Sequence, residues 1–188
     1  MRDPKSQQRA QSGFTLIEAL ISIVVLTFGV LSLAAVYSQG IFYTSLSQYD
    51  YIAEKKAEQA MEAIFAARDT GTLTWNQILN VSGVSGADKG VFLDGPQPIL
   101  LPGPDGLVGA TSDVGSPDEL VITGPGADGK LGTADDSTTD LNPWMKRTIT
   151  IVPVNAETNL RQVTIRVDYT VGKAKRSYTL ISYISSFS

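Results

Sequence analysis

Residues 13–37 read GFTLIEALISIVVLTFGVLSLAAVY, and the fold follows from how that stretch is read. Between Glu18 and Asp50 lie 31 residues without a formal charge, and Ala19 to Val36 is almost wholly apolar. A bilayer takes roughly 20 such residues in a helix, so Phe14 to Tyr37 is long enough to span one. The leader ahead of it carries Arg2, Lys5 and Arg9 against Asp3. That charge predicts an N-terminus held on the cytoplasmic side, with the rest of the chain translocated. One charge is out of place. An ionised Glu18 within an apolar segment costs roughly 2.5–3.5 kcal/mol on insertion scales and persists where a partner neutralises it. No basic residue lies between Arg9 and Lys55. Cleavage between Gly13 and Phe14 would place a new α-amino group about 6 Å along the helix axis from Glu18. Two staggered copies would bring that amine and carboxylate together, coupling charge neutralisation to assembly.

The string Gly13-Phe14-Thr15-Leu16-Ile17-Glu18 behind a short basic leader closely resembles the prepilin cleavage and methylation motif of type IV pilins. The resemblance implies that a prepilin peptidase cuts after Gly13 and that Phe14 becomes an N-methylated first residue. It implies that Glu18 pairs with the N-terminus of a neighbouring pilin subunit during assembly. It further implies an inner-membrane precursor with a periplasmic head, a pilus assembly platform as partner, and a fibre as destination. The helix body and the KRTITIVPV and RSYTLISYIS strands are most similar to minor pilins of the pilus modification (V-type) group. A minor pseudopilin of a type II secretion system is the alternative within the same superfamily. A secretory signal peptide cut near Ser32-Leu33-Ala34 competes less well, because its apolar region is only roughly 7–15 residues long.

Outward from this segment, residues 14–68 contain no proline and predict one long helix of about 80 Å at about 1.5 Å per residue. Ala53, Ala57, Ala60, Met61 and Ile64 form an apolar stripe at helical period, read as core packing. Glu54, Lys55, Lys56, Glu58 and Glu62 take the other faces and suit pairs one turn apart. Gly29 and Gly40 are the expected places for bending, each weakening a helix by roughly 1 kcal/mol relative to Ala. Residues 144–188 predict an antiparallel sheet. Val163, Ile165, Val167, Tyr169 and Val171 alternate with polar residues, flanked by candidate strands at 147–154 and 177–185. Pro153 marks an edge strand or bulge, and Gly172-Lys173 begins a turn. The expected fold class is therefore α+β, the type IV pilin fold: a long N-terminal helix, its first half (14–37) membrane-spanning, on a small antiparallel head.

Residues 69–143 form a Gly/Pro/Asp-rich region between helix and sheet. From residue 70 on, it holds 13 of the 17 glycines, 7 of the 9 prolines, and ten acidic against two basic side chains, a net of −8. Residues 144–188 reverse the balance, with seven basic against two acidic, a net of +5. Complementary charge of that kind could steer subunit packing, although charged surfaces are usually just solvated. Within the acidic region a pattern G-x-D-G-x-x-G-x-x-x-D occurs twice, at 103–113 and 126–136. Alternating Asp and Gly supply oxygen ligands on a curved backbone, as Ca²⁺ requires. Asp135, Asp136 and Asp140 cluster behind Asp128, whereas Asp113, Asp118 and Glu119 are more widely spread around the first copy. The stretch also resembles the calcium loop of the major pseudopilin of type II secretion. That resemblance implies carboxylates from Asp128, Asp135 and Asp136 and a carbonyl from Pro125, although here the loop precedes the last three strands. The competing reading is a solvated insertion in which Asp and Gly simply favour turns.

Composition narrows the rest. The 188 residues contain no Cys and no His, and carry a net charge of −4. No disulfide, thiolate site or Ser-His-Asp triad can be built. The acidity speaks against nucleic acid as a partner. An enzyme is not expected: the remote alternative, a membrane-anchored carboxylate enzyme, would rest on Asp135 and Asp136, which sit in a Gly-rich loop without a nucleophile.

Overall fold

The computed structural model describes residues 15–83, 89–155 and 159–187. The architecture is α+β, a long N-terminal helix with antiparallel sheets. Helix α1 runs over Leu16–Asp69. The chain divides into a first unit ending at Thr44 and a second from Ser45 to Ser188. In the first unit every residue from Thr15 to Thr44 is exposed. Helix α1 continues through Gly29 and Gly40, so neither glycine unwinds it. A single glycine costs only about 1 kcal/mol in a helix, and unbroken flanking turns absorb it.

In the second unit the helix buries the face that its period predicts: Ala53, Ala57, Ala60, Met61, Ile64 and Ala67. Opposite lies a three-stranded antiparallel sheet in the order β3 (Met145–Pro153), β4 (Leu160–Val171), β5 (Ala174–Ser185). Val163, Ile165, Val167, Tyr169 and Val171 of β4 join the helical stripe in one core. Alanines on the helix allow a close approach to β-branched residues on the sheet, and fully burying a side chain such as Ile64 contributes about 1.5–3 kcal/mol. The Gly172-Lys173 turn joins Val171 to Ala174 in register. Pro153 sits at the end of β3, an edge strand of this sheet, where its missing N–H costs no ladder bond.

The free edge of β3 is sealed by the preceding loop. The Gln97 and Arg147 backbones exchange both hydrogen bonds, at 2.7 and 2.9 Å. Two residues further on, the buried Asn80 side chain stands in for a strand. Its amide donates to the Ile149 carbonyl and its oxygen accepts from the Ile151 N–H, each at 2.8 Å. Arg161 donates to the Trp75 and Ile78 carbonyls and stacks 4.1 Å from the Trp75 ring, pinning the turn after α1 to β4. The 69–143 region also contains a two-stranded antiparallel hairpin, β1 (Leu120–Gly124) and β2 (Ser137–Asp140). Its sequence lacks a clean alternation because no residue of either strand is buried.

Candidate functional site

The N-terminal site begins with the local chemistry of a helix start. The first N–H groups of a helix have no intrahelical acceptor. Here the Glu18 N–H donates to the Thr15 carbonyl at 3.1 Å and lies 3.4 Å from its hydroxyl. Thr15 and Glu18 thus stand in the T-x-x-E spacing of a capping box, and Glu18 lies in the first turn of α1. A carboxylate there is favoured by the positive end of the helix dipole, by about 0.3–1 kcal/mol at an exposed site. This second role for Glu18 was legible in the spacing, but the apolar run dominates the reading. Gly13 and Phe14, the expected cleavage and methylation residues, lie outside the described residues.

Downstream, each hydroxyl in the apolar stretch is satisfied within the helix. Ser22, Thr27 and Ser32 donate to the carbonyls of Glu18, Ile23 and Phe28, at 2.7, 2.7 and 2.8 Å. Polar groups paired in this way can enter a bilayer without leaving an orphaned donor. The helix is long and apolar enough to cross a membrane. Its apolar side chains are uncovered, Leu16 by 87% and Leu33 by 72%. The arrangement offers a membrane or a helical partner a continuous oily surface with one acidic group at its start.

Residues 8–34 match the family model of the prokaryotic N-terminal methylation motif. The chain carries a type IV prepilin-like N-terminus. No curated protein and no solved structure matches it. The motif makes this prepilin-like chain a substrate of the prepilin peptidase type, and motif and helix together fit a membrane-anchored pilin or pseudopilin.

The second candidate site of the prepilin-like chain is the acidic loop joining β1 to β2. Asp128, Asp135 and Asp136 are brought together there, with Pro125 exposed at the loop's entrance. Their oxygens face the loop's own donors. Asp136 accepts from the N–H groups of Gly126, Gly132 and Thr133, at 3.3, 2.6 and 3.1 Å. Asp135 accepts from the Thr133 hydroxyl at 2.7 Å and the Asp128 N–H at 3.2 Å, and these bonds lower its pKa. Asp128 accepts from the Lys130 N–H at 2.8 Å. Among the described residues no group of three acidic side chains is arranged to hold a metal ion. As placed, these carboxylates accept hydrogen bonds from the loop's own backbone.

The first copy of the repeat folds by the same rule. Asp113 accepts from the Gly103 N–H at 2.9 Å and the Ala110 N–H at 3.1 Å, and Asp105 accepts from the Leu107 N–H at 3.1 Å. In both copies the last Asp of the pattern therefore closes the loop onto its first Gly. A side chain at that Gly would run into the closing Asp113 in one copy and into Asp135, next to the closing Asp136, in the other. Gly106 and Gly129 both take positive φ, which the tight turn behind each Asp requires. The settings differ. Asp113 is buried beside the guanidinium of Arg147, and burial raises its pKa. Arg147 itself is almost fully buried, and desolvation lowers its pKa to about 10 against the attraction of Asp113 and Glu119.

A third feature lies at the turn end of the three-stranded sheet. A groove of about 510 Å³ is lined by residues that include Trp144, Lys146, Arg166, Tyr169, Lys175 and Arg176. Beside it the Tyr169 hydroxyl donates to Asp50 of α1, and Arg176 lies 3.5 Å from the same carboxylate. The cations come from three strands, so their convergence is set by register and not by any motif.

Proposed function

We propose that this chain is a minor pilin-like subunit, cut after Gly13 by a prepilin peptidase, methylated at Phe14, and built into or priming a type IV pilus. The observation that carries the reading is the methylation motif on a helix whose residues 16–44 are all exposed and whose first turn holds Glu18. Before assembly the exposed helix would lie in the inner membrane, with the N-terminus cytoplasmic and the head periplasmic. During assembly it would exchange lipid for the helices of other pilin subunits on the assembly platform. Neutralisation of Glu18 by a neighbour's terminal amine would favour the assembled state, because an isolated carboxylate is costly at that depth.

Mass spectrometry of the mature protein tests the processing step. A terminus at methylated Phe14 is expected, and a chain that retains Met1 or starts near Tyr37 overturns the reading. Glu18→Ala tests the assembly step. The variant should insert in the membrane as well as the parent yet be depleted from sheared fibres, and undiminished incorporation would remove Glu18 from its proposed role.

A further inference from the structure

The two copies of the repeat suggest what the exposed one is for. In the first copy the fifth and sixth positions are Leu107 and Val108, each 1% exposed, and they insert into the chain's own core. In the second copy the same positions are Lys130 and Leu131, and Leu131 is 68% exposed. No residue of 125–136 is buried, and the side-chain hydrogen bonds of this stretch stay within it. The arm is thus stiffened by its own carboxylates and carries an apolar side chain amid three acids.

The groove at the end of the sheet has the complementary chemistry. Lys146, Arg166, Lys175 and Arg176 line it against the carboxylate of Asp168, and the half-buried Trp144, edge-on to Tyr49 at 4.6 Å, contributes apolar surface. Lys146 and Lys175 make no ion pair among the described residues. None of the groove's lining residues comes from the arm of the same chain.

We propose that the 125–136 arm of one copy docks in this groove of a second copy, Leu131 against Trp144 and the arm's net negative charge against the cationic rim. The contact repeats between molecules what the first copy does within one, where a carboxylate-closed loop lays apolar residues beside a cation on β3. Arm and groove are different surfaces, so the contact is head-to-tail, giving a ring or an open filament according to whether its rotation closes. It deepens the fibre reading and rests on it for the setting in which heads are held side by side. Opposite charge at the rim sets register and encounter rate more than affinity, so the contact should weaken with salt.

The absence of native cysteine makes the test direct. Full-length Leu131→Cys and Ser177→Cys chains, carrying different tags, are co-expressed, and membranes are oxidised. A mixed disulfide is expected above either homodimer. Adding Lys146→Glu and Lys175→Glu to the Ser177→Cys copy should reduce it by at least about fivefold, as loss of rim complementarity predicts. Circular dichroism of that variant confirms that its fold is intact. Absence of the mixed product, or a yield indifferent to charge reversal, overturns the contact. Adducts of Ser177→Cys with a different pilin in its place overturn the second-copy assignment. The mature N-terminus is measured on the same samples. A mixed disulfide in chains that keep residues 1–13 breaks the fibre reading and leaves the contact standing. Methylated Phe14 without the disulfide does the reverse.

Discussion

Residues 103–113 and 126–136 share an eleven-residue pattern and a common closing device, a terminal carboxylate accepting N–H groups from across its own loop. Their surroundings are opposite. The first copy contributes Leu107, Val108, Ala110 and Asp113 to the interior, whereas the second buries nothing. The difference traces to two positions, Leu107-Val108 against Lys130-Leu131, and to what lies next to each loop. The first copy packs against Ile149 and Arg147 of β3, so closely that a side chain at Gly109 would meet Ile149. The second stands at the tip of an exposed hairpin. One local solution to loop closure therefore serves as core in one place and as surface in the other. Only its neighbours decide which.

The comparison breaks most readily at the apolar positions. Val108→Lys places a charge in the core and should destabilise the head by more than about 3 kcal/mol, or prevent folding. Leu131→Lys should stay within about 0.5 kcal/mol of the parent, as exposed substitutions do. Urea unfolding followed by Trp75 and Trp144 fluorescence reads both, and equal losses would show that the arm is packed in the free chain. The closing acids come next. Asp113→Ala leaves the Gly103 and Ala110 donors unsatisfied in a buried setting and should cost about 2–4 kcal/mol. Asp136→Ala leaves donors that water can reach and should cost about 1 kcal/mol or less. A ratio near one would mean that burial does not set the value of the bond.

A smaller effect sharpens the groove side. Burial first, and then the bond to Asp50, raise the Tyr169 hydroxyl to about 12. An acid whose pKa in the fold lies above its usual value of about 10 favours the native state while neutral. Its contribution is intact below that usual value and lost as pH rises toward 12. Tyr169→Phe should therefore flatten the fall in melting temperature between about pH 10 and 12. Parallel melting curves for parent and variant would count against the bond. The smallest expected effect concerns calcium. With its oxygens already turned to backbone donors, the 126–136 loop should melt unchanged in calcium or chelator. A rise in melting temperature that depends on calcium would return those carboxylates to metal binding.

Much of the fold was legible because its signals are periodic. The apolar run from Phe14, the Ala53–Ile64 stripe and the two-residue alternation of Val163–Val171 each reflect one element meeting one environment. The hairpin β1–β2 was not legible, since strands with no buried face carry no alternation. Nor was the Asn80 seal on β3: its two bonds reach Ile149 and Ile151, about seventy residues away. The capping relation of Thr15 to Glu18 was present in the spacing, whereas the groove cations lie on three strands and share no pattern.

The sequence by itself determined the long apolar helix, its misplaced acid, the motif that marks it for processing, and the strand-rich end, because each depends on contacts a few residues apart. It also determined that two acidic loops would close in the same way. Only the tertiary structure decided that one of those loops belongs to the core and the other to the surface, and that Lys146, Arg166, Lys175 and Arg176 share a groove. Burial and convergence are properties of what lies across the chain, and a local pattern carries no record of it.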